Sequence, residues 1–215
     1  MRKRAAFLIG TGCILLSASV SLAVNNQLES AKAAKSAETL AEAYLSRSTV
    51  FEAPVTDTAA NAAQTEAPDV SETRSAAEHS PAKRPVVIDG QEFIGLLSIP
   101  CLGVNLPVNN DISYPLLRAT PCRYYGSAET DSLIIAAHNY NSHFGGIGTL
   151  KPGDKVNFTD SSGITQAFSV SEVLSLTNDA VDEMLEPGDW DLTLFTCNYS
   201  GTERITVRCV KGERI

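Results

Sequence analysis

Hydrophobic positions fall into three regimes along this chain. Residues 5–24, AAFLIGTGCILLSASVSLAV, carry no charge, and the next charged residue is Glu29. Arg2, Lys3 and Arg4 stand directly before them. A helix rises about 1.5 Å per residue, so some twenty residues cover a hydrocarbon core of about 30 Å. The pattern predicts a transmembrane anchor over 5–24. Residues 1–4 form a cytoplasmic N-terminus, because basic residues stay inside while the rest crosses. A cleaved signal peptide is the competing reading, since Ser21-Leu22-Ala23 places small residues where a peptidase needs them; the span is long for the apolar part of such a peptide. Both readings put the remainder outside the cytoplasm. Cys13 falls within the span as a lipid-facing or packing residue.

The second regime, residues 25–85, is nearly without large apolar side chains. Leu28 to Ser48 is rich in Ala, Glu and Lys, which are good helix formers. Leu40, Ala43, Tyr44 and Ser48 give it only a weak apolar stripe. Residues 49–82 are dominated by Ala, Thr, Ser, Glu, Asp and Pro. Such a stretch cannot bury enough surface to offset its ordering entropy. The segment reads as a helical and largely disordered stalk, with His79 a solvated side chain within it.

From residue 86 to 215 the pattern changes to short runs of β-branched and large apolar residues separated by turn signals. The runs are FIGLLSIP (Phe93–Pro100), SLIIAAH (Ser132–His138), KVNFTD (Lys155–Asp160), QAFSVSEVLSL (Gln166–Leu176), LTLFTC (Leu192–Cys197) and RITVRC (Arg204–Cys209). PGD at 152–154, DSSG at 160–163 and PGD at 187–189 supply turns. Only Asn178–Leu185 carries a short helical pattern. The size suits one domain, and the pattern predicts a mostly-β fold, a barrel or a sandwich.

Alternation within the last two runs makes a finer prediction. Successive strand residues face opposite ways. Thr193, Phe195 and Cys197 therefore share one face, as do Arg204, Thr206 and Arg208 on the next run. Ile205, Val207 and Cys209 form the opposite, apolar face, which makes Cys209 a core residue. If the runs form a hairpin around 198–203, Cys197 and Arg204 stand opposite each other at its mouth. Arg208 would lie roughly 13 Å further along, at about 3.3 Å per residue.

Composition and charge narrow the partners. The chain has 215 residues, 43% of them hydrophobic, with a net charge of -8 and a pI of about 4.9. No basic stripe is present, so nucleic acid is not an expected partner. Three histidines and five cysteines carry the candidate chemistry. His138 ends a buried-looking run just before the polar loop NYNSHFGGIG. A thiolate is the nucleophilic form of cysteine, an imidazole can move the proton, and a guanidinium stays charged and can stabilise an oxyanion. His143 reads as a surface residue of the same loop. A zinc site from His138, His143 and cysteines is disfavoured, because no CxxC pair accompanies them. Cys101 and Cys122 are either two buried thiols or a disulfide. Asp179, Asp182, Glu183 and Glu186 read as a solvated helix end; calcium there is a minor alternative, and no other cofactor is expected.

TLFTC, Thr193–Cys197, resembles the TLxTC signature of sortases, the cysteine transpeptidases of bacterial cell surfaces. FIGLLSIPCLGVNLPV (Phe93–Val108), the AAH of Ala136–His138 and the ERITVRC of Glu203–Cys209 agree with the family in the same order. The resemblance implies an eight-stranded β-barrel with short helices. It implies Cys197 as nucleophile, His138 as general acid/base, Arg204 as the oxyanion or substrate-positioning residue, and Thr196 as a substrate-binding residue beside the nucleophile. The implied reaction cuts an LPxTG-like sorting signal after its threonine. A thioester acyl-enzyme forms, and an amine acceptor resolves it: a cell-wall precursor, or a pilin lysine in some relatives. Ala137 stands where many relatives have glycine. No aromatic lid motif is found in the stalk, and no membrane span follows Ile215; both lean toward an anchoring role. The alternative of a different class is a non-catalytic extracellular β-domain that binds wall or a partner protein.

Overall fold

The structure, a computed structural model, describes residues 2–48 and 84–212, with side chains from residue 12 onward in the first stretch. Most of the expected stalk spacer, His79 included, lies outside the described residues. Helix α1 spans Arg2–Ser48 without a break. It runs through the apolar segment of the expected anchor, but among the described residues no helix is long and apolar enough to cross a membrane. Residues 5–11 of that segment are among those whose side chains are not described. Cys13 is exposed.

The later part of α1 docks on the barrel. Ala33, Ala37, Ala41 and Tyr44 are buried, at spacings that put them on one helix face. Tyr44 packs with Ile88, Phe93 and Leu96. Alanines let the helix approach closely, so a stripe too weak to announce a core still docks. Glu29 pairs with Arg118, and Arg47 donates to the Val87 carbonyl.

Nine strands form one sheet: β1 (Val86–Ile88), β2 (Gln91–Ile99), β3 (Val104–Asn109), β4 (Cys122–Tyr125), β5 (Leu133–Ala136), β6 (Lys155–Asp160), β7 (Thr165–Thr177), β8 (Leu192–Cys197) and β9 (Glu203–Lys211). Their order is β1-β2-β3-β4-β5-β8-β9-β7-β6, and β6 pairs back onto β2. Eight strands therefore close the barrel, as expected, and β1 is an added edge strand on β2. Gly95 makes the closure possible: a Cβ there would sit 2.4 Å from the Phe158 ring and 2.5 Å from the Thr159 carbonyl oxygen. Two short helices decorate the barrel, α2 (Tyr114–Ala119) and α3 (Val181–Leu185). Helix α2 starts at Ser113, whose hydroxyl accepts from the Leu116 N–H, with a proline in the first turn. Helix α3 occupies the second half of the predicted Asn178–Leu185 segment.

The barrel interior holds Leu97, Ile99, Val108, Leu133, Ile135, Leu192, Leu194, Val207 and Cys209. A second apolar cluster lies on the outer face: Ile134, Ala136, Leu176, Met184 and Phe195, packed with Leu117 of α2 and Leu185 of α3. Strands β5 and β8 are thus buried on both faces. That is why LIIA and LTLF read as continuous apolar runs rather than alternating ones.

Candidate active site

The neighbouring strands β5 and β8 run parallel, with Leu133 to Ala136 paired in step with Leu192 to Phe195. Just past this ladder, the Ala137 N–H donates to the Phe195 carbonyl at 3.2 Å. The Thr196 hydroxyl donates to the Ala137 carbonyl at 2.8 Å. Both polar groups of Ala137 are therefore tied to β8. His138 and Cys197, each two residues beyond the pair Ala136 and Phe195, leave adjacent strand ends together.

On its other side β8 pairs antiparallel with β9, and Cys197 is registered against Arg204. The hairpin predicted from alternation is the one observed, and Arg208 lies opposite Thr193. The turn between them is held by Asn198, whose side-chain oxygen accepts from the N–H groups of Thr202 and Glu203 and from the Ser200 hydroxyl. The Arg204 guanidinium sits 5.5 Å from the Phe195 ring centroid, on the face that Cys197 shares. Cys197 is exposed, whereas Cys209 is fully buried.

His138 is half-buried between two rings. Tyr114 of α2 meets it edge-on at 5.3 Å, and Tyr140 lies 4.9 Å away with a tilt of 33°. Burial lowers its pKa, and the Arg118 cation pushes in the same direction. Among the described residues, His138 Nε2 and Arg204 Nη1 are buried and have no hydrogen-bond partner. Buried polar groups are almost always paired. Two open groups beside an exposed thiol form a site able to accept a polar ligand.

Thr196, beside the nucleophile, is 3% exposed, and its hydroxyl ties β8 to β5 through Ala137. Two expectations need correction. His143 is fully buried rather than on the surface. Cys101 and Cys122 are both free, the first exposed and the second buried. Burial raises the Cys122 and Cys209 thiols to about 12, which leaves them un-ionised and poor nucleophiles. Among the described residues no three His, Cys, Asp or Glu side chains gather as metal ligands. Sequence reasoning also missed Tyr114 and Tyr140. Tyr140 had a signal in its place two residues after His138; Tyr114 had none.

The Sortase domain model matches residues 97–211, more than half of the chain. No curated protein matches significantly. Among solved structures, the chain is similar to Clostridium perfringens sortase C, solved with the C-terminal cell wall sorting motif. The identity is 25%, with 57% of this chain and 71% of that one covered, at a TM-score of 0.50. The Sortase D5 transpeptidase of Clostridium perfringens shares 20% identity over 56% of this chain and 79% of that one, also at 0.50. A Corynebacterium diphtheriae sortase A lid mutant shares 19% over 57% and 72%, again at 0.50. At these lower identities the likeness speaks for the fold alone. The extent of the family match, on a barrel that joins TLFTC to AAH, is what decides the assignment: the chain belongs to the sortase family of cysteine transpeptidases.

Proposed function

We propose that this enzyme cleaves an LPxTG-like sorting signal through Cys197 and transfers the acyl part to an amine. The carrying observation is the convergence of Cys197, Arg204 and His138 at one barrel end, with open polar groups on the last two. The Cys197 sulfur attacks the carbonyl carbon of the threonine–glycine bond after giving its proton to His138. Arg204 donates to the resulting oxyanion. His138 passes its proton to the leaving glycine nitrogen as the C–N bond breaks, and a thioester remains. An incoming amine attacks the thioester, and His138 takes its proton. The new amide forms, the sulfur leaves, and the thiol is restored. Water is the slow alternative acceptor.

Burial helps the second half of this cycle. A lowered His138 pKa keeps the resting imidazole neutral near pH 7, ready to accept the amine proton. One similar sortase was solved with a C-terminal cell wall sorting motif, which supports this substrate class. The acceptor is a cell-wall precursor amine or a pilin lysine. Arg2, Lys3 and Arg4 before the uncharged residues 5–24 support a single-pass membrane anchor with the barrel outside the cell, where surface proteins are attached.

The full chain incubated with a quenched LPxTG peptide and a glycine-based amine should release the C-terminal fragment and form the amide. Cys197→Ala should lower turnover by roughly 10³-fold or more. Normal turnover by that variant rejects the mechanism.

A further inference from the structure

Between His138 and Ile147 the chain forms a loop that its own backbone holds shut. The N–H groups of His143 and Gly145 both donate to the Tyr140 carbonyl at 2.9 Å, and that of Phe144 donates to the His138 carbonyl at 3.1 Å. A Cβ at Gly145 would lie 2.7 Å from the Asn139 oxygen and 2.8 Å from the Tyr140 oxygen, so only glycine fits. Phe144 and Ile147 are fully buried in the barrel core. They draw the loop inward, and His143 goes with them.

This burial sets three rings in sequence. Tyr140 stacks on His138 at 4.9 Å, and His143 backs Tyr140 at 5.5 Å with a tilt of 59°. Both ring nitrogens of His143 are buried, and with the Ala119 backbone as the hydrogen-bonding neighbour of the ring at least one of them is left open among the described residues. Leaving a buried polar group unpaired costs about 1–3 kcal/mol. An imidazole kept at such a cost needs a reason, and its place behind Tyr140 supplies one.

We propose that Tyr140 and His143 are positioning residues for His138: Tyr140 fixes the plane of the imidazole against Tyr114, and the buried His143 ring fixes Tyr140. The inference rests on His138 acting in catalysis. Burial and the neighbouring His138 push His143 down to about 4, against a pull from the Ala119 carbonyl. His143 is therefore uncharged at neutral pH, and no second cation behind Tyr140 repels the proton that His138 must carry. The ionisable groups around His138 are Tyr114 and Arg118 from α2, Tyr140 and His143 from its own loop, and Cys197 and Arg204 from the β8–β9 hairpin. Glu29 of α1 pairs with Arg118.

The test uses the full chain with labelled histidines, and His138→Ala assigns the His138 signal. Three readouts follow: the His138 NMR titration, the pH dependence of Cys197 alkylation by iodoacetamide, and kcat and KM on the LPxTG peptide. Tyr140→Ala should admit water and raise the His138 pKa by about half a unit or more, because burial is what lowers it. It should cut kcat about tenfold while KM moves less than about threefold. Tyr140→Phe should recover most of both effects. His143→Ala should act in the same direction, with His143→Phe restoring the ring. Tyr140 is half-buried, so its variants report even where His143→Ala fails to fold. An unchanged His138 titration in Tyr140→Ala overturns the proposal. Full activity in His138→Ala would instead overturn the catalytic assignment, which separates the two failures.

Discussion

Arg204 and Arg208 stand on the same face of the same strand, four residues apart, yet their surroundings are opposite. Arg208 is 2% exposed, and its guanidinium is in use. It donates to the Thr193 hydroxyl and the Glu183 carbonyl at 2.7 Å each and to the Met184 carbonyl at 3.4 Å. The Trp190 ring lies 4.2 Å from it. It clamps α3 to the end of the β8–β9 hairpin remote from the turn. Arg204, beside the turn, rests over Phe195 with Nη1 unpaired. Both Nη atoms of Arg208 are held by acceptors and only its Nε is open, so this guanidinium stabilises; Arg204, with Nη1 open beside an exposed thiol, is available to a substrate. The same contrast separates the paired residues on β8, since Thr193 is buried and bonded to Arg208 while Cys197 is exposed.

Substitutions should split the two arginines. Arg204→Ala should lower kcat/KM by about 10²–10³-fold, the cost of losing one oxyanion donor, with little change in the thermal midpoint. Arg208→Ala should do the reverse. Its three acceptors lose a charged donor, so stability should fall by about 4 kcal/mol, while the folded fraction turns over near the normal rate. Steady-state kinetics and denaturant melts on the same samples check both. A catalytic collapse in folded Arg208→Ala would erase the distinction.

A smaller effect concerns acid. His143 has a folded pKa of about 4 against about 6.5 unfolded, so the unfolded chain binds the proton first. The stability it contributes is complete above pH 6.5 and is lost as pH falls toward 4. At 1.36 kcal/mol per unit the loss approaches roughly 3 kcal/mol. His138, also lowered, adds in the same sense. Urea melts between pH 7 and 4 should show the decline, and His143→Phe should flatten it. Smallest is Thr196→Val, which removes only the bond to Ala137 and should cost about 1 kcal/mol. A modest loss of rate should accompany it, since His138 follows Ala137.

Legibility in the sequence followed the strength of each local signal. The β8–β9 register was readable because polar and apolar residues alternate cleanly from Arg204 to Cys209, and the alternation already separated Arg204 from Arg208. Strand β4 and helix α2 were not. CRYY is too short to show a period, and the Ser113 cap with Pro115 precedes only six helical residues. Helix α1 was legible as a helix but not as a docked one, because a stripe of alanines suits solvent and close packing alike. His143 was misread for a tertiary reason: a polar, glycine-rich loop suggests exposure, whereas Phe144 and Ile147 pull it into the core. The partners of His138 come from α2 and from its own loop, a convergence that no spacing encodes.

Mass spectrometry of the full chain, quenched during turnover of an LPxTG peptide without added amine, tests the assignment of the nucleophile. The account predicts one adduct, with the mass of the acyl fragment ending in threonine, localised to Cys197 and released by an added amine. An adduct on another residue, or turnover with no covalent species under conditions that trap thioesters, would contradict it.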